Sequence, residues 1–318
     1  MGVRFLRWAL RFLALLFVLY LYFATLHPHQ RISHHVFFDA PGPWAIAHRG
    51  GRGLWPENTL HAFEHARDLG VDLLEMDLRM TADGHIVVMH DRAVDATTDG
   101  RGLVSDMTLD ELKELYAGAR GDGDFPFRER GLRVPTLREV LTALSSSRLN
   151  LEMKAFTPKE ATSLCRLLQE FDAEARVLVA SFGQEPMLAF REECPSVATS
   201  ATFREAFVFV VLHRVGLGSL YRSPAVAFQV TEYFRELHVV EPSFLESAKD
   251  ANIQVQVWTI NEPSDMKRLL DMGVHGILTD YPDRLLRHPA FAKASAGKPA
   301  DASARKRLMP LGLGLGGV

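Results

Sequence analysis

Residues Ala47 to Asp91 read AHRGGRGLWPENTLHAFEHARDLGVDLLEMDLRMTADGHIVVMHD, and this stretch decides both fold and chemistry. It holds two histidines, His48 and His90, and between them two carboxylates, Glu75 and Asp77, on a predicted strand Leu73–Leu78. Side chains alternate across a strand, so residues at i and i+2 share a face and both carboxylates point into one site. Carboxylates converging in this way hold a divalent metal. Asp83-Gly84 is a hairpin turn signal, and His85 to His90 reads as a short returning strand that carries His90 back to the carboxylate end.

Working outward, short apolar runs alternate with helical segments: Trp44–Ala47, Leu73–Leu78, Leu149–Met153, Val177–Ser181, Val197–Ser200, Ala225–Val230, Gln254–Thr259 and Gly276–Thr279. Such alternation predicts an α/β domain with a parallel sheet, and eight strands suit a closed (β/α)8 TIM barrel with the hairpin inserted after strand two. Chemistry in that fold sits at the C-terminal strand ends, where His48, Glu75, Asp77 and Glu152 fall. Lys154 shares a strand face with Glu152.

With 318 residues, 47% hydrophobic and 24% charged, the chain accommodates one barrel-sized domain of about 250 residues. A formal charge of -3 shows no basic excess, which argues against a nucleic acid partner. The two cysteines, Cys165 and Cys194, are too few for a disulfide framework and read as buried thiols without chemistry. Spacing alone does not decide whether they pair, and the redox compartment stays open.

Leu6 to Leu26 is mostly apolar, with Trp8, Tyr20, Tyr22 and Phe23, and a bilayer needs about 20 such residues. Arg7 and Arg11 shorten the uninterrupted run to Phe12–Leu26, so residues 1–26 are expected to form a tilted or snorkelling transmembrane helix. Arg4, Arg7 and Arg11 would keep the N-terminus cytoplasmic and put the catalytic domain on the extracytoplasmic side of a single-pass membrane protein. A cleaved signal peptide fits less well, because no small-x-small pattern follows the run. Residues 27–43 read as a solvated juxtamembrane linker, whose His27, His29, His34 and His35 match no metal spacing. Residues 44–289 form the barrel domain, and residues 290–318 read as a disordered low-complexity tail.

Four blocks occur in order: His48-Arg49-Gly50, Pro56-Glu57-Asn58-Thr59, Glu75-Met76-Asp77 and His90-Asp91. They resemble the glycerophosphodiester phosphodiesterase family. The resemblance continues through Pro135-Thr136-Leu137, Asn150 to Lys154, Val257 to Asn261 and Gly276 to Asp283, spanning roughly Trp44 to Pro289. It implies a TIM barrel that hydrolyses glycerophosphodiesters to glycerol 3-phosphate and an alcohol with a divalent metal. Glu75, Asp77 and Glu152 form an all-oxygen set suited to Ca²⁺ or Mg²⁺ rather than zinc. His48 and His90 are the candidate general acid and base, in an order the sequence leaves open. Arg49 and Lys154 are candidate phosphate clamps. By resemblance Glu57 joins the metal site or binds glycerol hydroxyls, and Trp258 either lines the substrate pocket or packs in the core. Asn58 reads as the cap of the following helix. Two positions depart from the family pattern: His275 replaces a common aspartate, and Ala96 stands near a common basic residue.

Phe203–Tyr221, FREAFVFVVLHRVGLGSLY, is the least ordinary segment, because Ala206 to Leu212 is apolar all round. Such a helix is either deeply buried or in contact with lipid. With the N-terminal run and the HRGG block, it resembles the membrane-bound branch of the family, which includes lysophospholipase D enzymes. On that reading the substrate is a lysophospholipid, membrane lipid is a partner, and choline or ethanolamine leaves. The competing non-enzymatic reading, a tethered binding module, is disfavoured because both histidines and all three carboxylates are present.

Overall fold

The structure, a computed structural model, describes residues 2–22, 31–119 and 127–291. The strands in chain order are β1 (Trp44–Ala47), β2 (Leu73–Met80), β3 (Ile86–Val88), β4 (Leu149–Met153), β5 (Val177–Ala180), β6 (Ala198–Thr199), β7 (Ala227–Val230), β8 (Tyr233–Phe234), β9 (Leu237–His238), β10 (Gln254–Val257) and β11 (Gly276–Thr279). Eight are parallel, ordered β6-β5-β4-β2-β1-β11-β10-β7. A lone parallel bridge, Ser200 to Ala227, brings the two edges together and nearly closes the barrel. The barrel strands are buried on nearly every residue, as expected where helices cover a parallel sheet. β3 returns antiparallel on β2, with Leu78 opposite Val88, which confirms the hairpin expected at Asp83-Gly84.

The helices are α1 (Gly2–Leu21), α2 (Leu60–Leu69), α3 (Leu109–Glu114), α4 (Leu137–Ala143), α5 (Pro158–Glu170), α6 (Gln184–Glu193), α7 (Phe203–Arg214), α8 (Pro242–Asp250), α9 (Pro263–Met272) and α10 (Pro282–Leu286). Their starts are written locally. Thr108, Thr136, Thr157 and Thr202 each form a reciprocal capping box with a glutamate three residues on. Pro158, Pro242, Pro263 and Pro282 open their helices where no backbone N–H is needed.

Residues 31–43 do not run free through solvent. Ile32 N donates to Ala251 O at 2.9 Å, Asn252 Nδ2 donates to Ile32 O at 2.8 Å, and Phe37 and Phe38 are buried under the barrel. These two rings join Trp44, Ile46, Leu73, Leu178 and Leu278 to seal the end of the barrel where the strands begin. His34 meets Asp39 at 2.7 Å and His35 meets Ser196 O at 3.0 Å, while His27 and His29 lie outside the described residues. Of the expected tail, residues 292–318 also lie outside them.

Two expectations are corrected. α1 forms, but no helix among the described residues is long and apolar enough to cross a membrane, so the transmembrane anchor and the single-pass placement fall. Arg4, Arg7 and Arg11 lie within α1, and its charge-free stretch, Phe12 to Leu21, falls well short of the roughly 20 residues a bilayer requires. Each arginine near the centre of a spanning helix costs about 2.5–3.5 kcal/mol. The cysteines are also not inert thiols: Cys165 on α5 and Cys194 at the end of α6 form a disulfide with a Cα–Cα distance of 5.7 Å. The two helices lie side by side on the outside of the barrel, a proximity that a separation of 29 residues does not reveal.

Candidate active site

The site starts where β1 ends. Arg49, Gly50 and Gly51 all take left-handed backbone conformations, at φ 51, 80 and 87. A Cβ on Gly50 would lie 2.8 Å from Ala62 Cβ and 2.9 Å from the Phe63 ring, so only glycine permits this close turn. The turn aims the Arg49 N–H at Glu75 Oε2, 2.7 Å away. On the neighbouring strands, Asp77 stands opposite Glu152 and Glu75 opposite Asn150. Register therefore gathers Glu75, Asp77 and Glu152, with ligand oxygens within 4.8 Å of one another.

Glu75 is 2% exposed and Asp77 1%. Burial, then repulsion from Asp77 and Glu152, pushes the Glu75 carboxyl well above the usual carboxylate range. Burial raises Glu152 too, against the pull of Lys154. For Asp77 burial acts upward, but Lys154, Arg49 and the Asn58 amide outweigh it and hold the group below its ordinary value. Lys154 Nζ lies 2.7 Å from Glu152 and 3.3 Å from Asp77, and Arg49 lies 3.3 Å from Asp77 and 2.8 Å from Glu57. These cations compensate Asp77 and leave Glu75 opposed by its neighbours. A cluster of acidic oxygens in that condition fits a hard divalent cation, and Glu75, Asp77 and Glu152 are the residues that could hold it.

Both histidines are oriented from Nδ1. His48 Nδ1 lies 2.6 Å from Asp280 Oδ1, and His90 Nδ1 lies 2.7 Å from Asp91. A carboxylate on Nδ1 keeps the proton there and leaves Nε2 of the neutral ring free to accept one. Asn261 fixes Asp280 by donating from Nδ2 to Oδ2 at 2.9 Å and accepting from the Asp280 N–H at 2.9 Å. Burial alone would raise Asp280, yet the His48 and Asn261 contacts outweigh it and hold the carboxyl below its usual value. The His90 carbonyl accepts from Arg79 Nε at 2.8 Å, which pins the hairpin over the mouth.

Two cavities meet at this point. One of about 720 Å³ runs over the barrel mouth from His48, Glu75, Glu152 and Lys154 to a wall containing Phe182, Phe203, Phe207, Phe234 and Trp258. Another of about 550 Å³ lies beyond Glu57 and Asp91. Arg49, Arg52 and His90 line both.

The expected site residues therefore converge on one mouth. Glu57 pairs with Arg49 and Arg52, outside the carboxylate trio. Trp258 lines the large cavity, with Phe182 at 6.1 Å, while also touching the barrel interior. Asn58 is not a helix cap: Thr59 Oγ1 accepts the Ala62 N–H at 3.1 Å, and Asn58 Nδ2 donates to Asp77 at 2.9 Å. Sequence reasoning missed Asp280, Asn261 and Arg52, although the first two lie in the Thr279-Asp280-Tyr281-Pro282 and Trp258-to-Asn261 runs. Of the departures, His275 sits at the sealed end against Trp44, where burial lowers it to about 4, and Ala96 lines the smaller cavity.

A carboxylate cluster that could hold a cation, beside two aspartate-anchored histidines, suits the cleavage of an anionic ester, the chemistry of phosphoric diester hydrolases. The comparisons agree. The glycerophosphoryl diester phosphodiesterase family profile matches residues 48–284, and the chain belongs to that family. A glycerophosphodiester phosphodiesterase of Caldanaerobacter subterraneus is 33% identical over 250 residues, covering 76% of this chain and 95% of that protein. Human glycerophosphodiester phosphodiesterase 1 is 30% identical, covering 74% of each. Among solved structures, an Oleispira antarctica phosphodiesterase in complex with the product sn-glycerol-3-phosphate matches at TM-score 0.61 and 26% identity, over 76% of this chain and 94% of that one. This chain is a glycerophosphodiester phosphodiesterase by family and fold.

Proposed function

We propose that the chain hydrolyses glycerophosphodiesters to glycerol 3-phosphate and an alcohol with Ca²⁺ or Mg²⁺, using His48 and His90 as the proton-transfer pair. The observation that carries this reading is the meeting of Glu75, Asp77 and Glu152 with two Nδ1-anchored histidines at one mouth. A divalent cation bound there supplies Lewis-acid neutralisation of phosphate charge. Arg49 and Lys154, already held against the carboxylates, add fixed positive charge for the remaining phosphate oxygens.

His48 lines only the large cavity, whereas His90 lines both. The reading therefore gives His48 the base role, taking the proton from a glycerol hydroxyl as its oxygen attacks phosphorus. His90 protonates the alcohol oxygen as its bond to phosphorus breaks. Water then opens the resulting cyclic phosphate with the two roles exchanged, leaving glycerol 3-phosphate. Glu57 anchors Arg49 and Arg52 rather than joining the metal set, and Trp258 flanks the substrate.

A second reading, lysophospholipase D activity at a lipid surface, is favoured by the apolar wall of the large cavity. Phe203 and Phe207 on α7 and Phe234 on the β8–β9 hairpin extend from that wall into the open, each 42–53% exposed. An acyl chain attached to the glycerol side would lie there, with membrane lipid as the source of substrate. The deciding experiment follows choline release from glycerophosphocholine and lysophosphatidylcholine in parallel, with Ca²⁺, Mg²⁺ or chelator. Release from the soluble diester alone rejects the lipid reading; metal-independent release rejects the metal; no release from either rejects both substrates.

A further inference from the structure

The outer face of α2 carries two metal-ligating side chains that the chemistry at the barrel mouth does not use. His61 and His65 stand one helical turn apart in the run His61-Ala62-Phe63-Glu64-His65, the spacing with which a helix presents two imidazoles to one zinc ion. The helix is fixed on its other side. Ala62, Phe63 and Ala66 are buried, Thr59 caps the start and Gly70 the end, so both histidines share the face turned away from the core. Their rings lie 4.1 Å apart, with planes at 50° to one another.

The tautomer of His65 is set by its own helix. His65 Nδ1 lies 2.8 Å from the His61 carbonyl oxygen, and since a carbonyl only accepts, Nδ1 carries the proton. Nε2 then keeps its lone pair, the donor a metal needs, and a backbone carbonyl on the opposite nitrogen is a usual way for a metal-binding histidine to be held. Both rings are braced: Trp55 stands 5.5 Å from His65, and Phe127 stands 5.5 Å from His61. Bracing reduces the rotamer freedom that binding would take away.

Donor chemistry names the class of ligand. Neutral imidazole suits Zn²⁺, Cu²⁺ and Ni²⁺, whereas the all-oxygen set Glu75, Asp77 and Glu152 suits Ca²⁺ and Mg²⁺. Arg130 repels positive charge at His61, which counts against any cation that gains little from imidazole. Among the described residues no third histidine, cysteine or carboxylate joins the pair, so water fills the remaining positions and the metal exchanges freely. We infer that His61 and His65 form a second metal site, on the outside of the barrel, that binds a transition-metal cation, Zn²⁺ foremost, through two imidazole nitrogens. Neither histidine belongs to the carboxylate trio or lines either cavity, so the site stands apart from the phosphodiesterase reading.

The test is a Zn²⁺ titration of the full chain by calorimetry, with saturating Mg²⁺ present to occupy the carboxylate trio. Wild type should bind Zn²⁺ in the micromolar range. His61→Gln and His65→Gln should each weaken that binding at least about tenfold, and the double variant little further, because a chelate broken at one nitrogen is lost as a whole. Unfolding midpoints measured without metal should match wild type in all three variants, which separates a lost ligand from a damaged helix. Zn²⁺ binding unchanged in the double variant overturns the site, and so does a loss confined to one of the two single variants. Zn²⁺ binding abolished by Glu75→Gln and untouched by His65→Gln also overturns it, by placing that cation in the trio.

Discussion

The mouth of the barrel has two unlike halves. On the β1, β2, β4 and β11 side, ionic groups are over-determined: Asp77 alone receives Lys154, Arg49 and Asn58, and Asp280 joins His48, Arg52 and Asn261. On the β7 side, α7 buries Phe209 and Val210 among Tyr221, Phe228 and Phe244, and leaves Phe207, Val208 and Val211 exposed. The first half holds charged groups in fixed positions before substrate arrives, which is the condition for electrostatic catalysis. On the readings proposed above, metal binding and proton transfer belong to the first half, and the lysophospholipid alternative draws on the second.

The sharpest way to break this division is to remove one histidine of the proposed proton-transfer pair. His48→Ala or His90→Ala should lower kcat by at least about a hundredfold while circular dichroism and the unfolding midpoint stay near wild type. Full turnover in either variant would sink the two-histidine scheme.

Asp280→Asn should come next, with kcat reduced about tenfold to a hundredfold, because the amide no longer favours the Nδ1-protonated ring of His48. The same variant has a pH signature. The folded Asp280 value is depressed, so its contribution to stability is present above the unfolded value of about 3.9 and is lost as pH falls through the lower folded value. Urea midpoints measured down that acid range should fall less steeply in Asp280→Asn than in wild type; parallel curves would show that the ion pair does not matter to stability.

Glu75→Gln should shift the Ca²⁺ or Mg²⁺ activation curve to about tenfold higher metal with the fold intact, since one of three oxygen ligands is weakened. An unshifted curve would place the metal elsewhere.

The smallest expected effects belong to the apolar half. Phe207→Ser and Phe234→Ser, both about half exposed, should lower the ratio of lysophosphatidylcholine to glycerophosphocholine turnover roughly threefold to tenfold each, matching a partly buried aromatic contact of about 1 kcal/mol. A constant ratio would assign the exposed phenylalanines no part in substrate choice.

Much of the catalytic half was legible in advance because its information is local. Glu75 and Asp77 share a face by strand alternation, the Asp83-Gly84 turn returns β3, and each barrel strand was visible as a short apolar run. Asn58 was misread for a physical reason: an asparagine before a helix usually caps it, and here the adjacent Thr59 takes that role while Asn58 turns to a strand partner 19 residues away. Asp280 and Asn261 were visible in the sequence without a role, since their partner His48 is reached only after the barrel closes. The N-terminal run was expected to cross a membrane with Phe12–Leu26 as its uninterrupted part, but α1 stops at Leu21 and no helix among the described residues is long and apolar enough to cross one.

Sequence by itself determined the strand order in the chain, the helix starts at Thr136, Thr157 and Thr202, and the residue types of the site, because propensity, capping and alternation act over a few residues. Only the tertiary structure decided that Asp280 orients His48, that Cys165 meets Cys194, that Phe37 and Phe38 seal the far end, and that two cavities join at His90. Those contacts depend on elements packing side by side, β11 against β1 and α6 against α5, and a distance through space is not written in a distance along the chain.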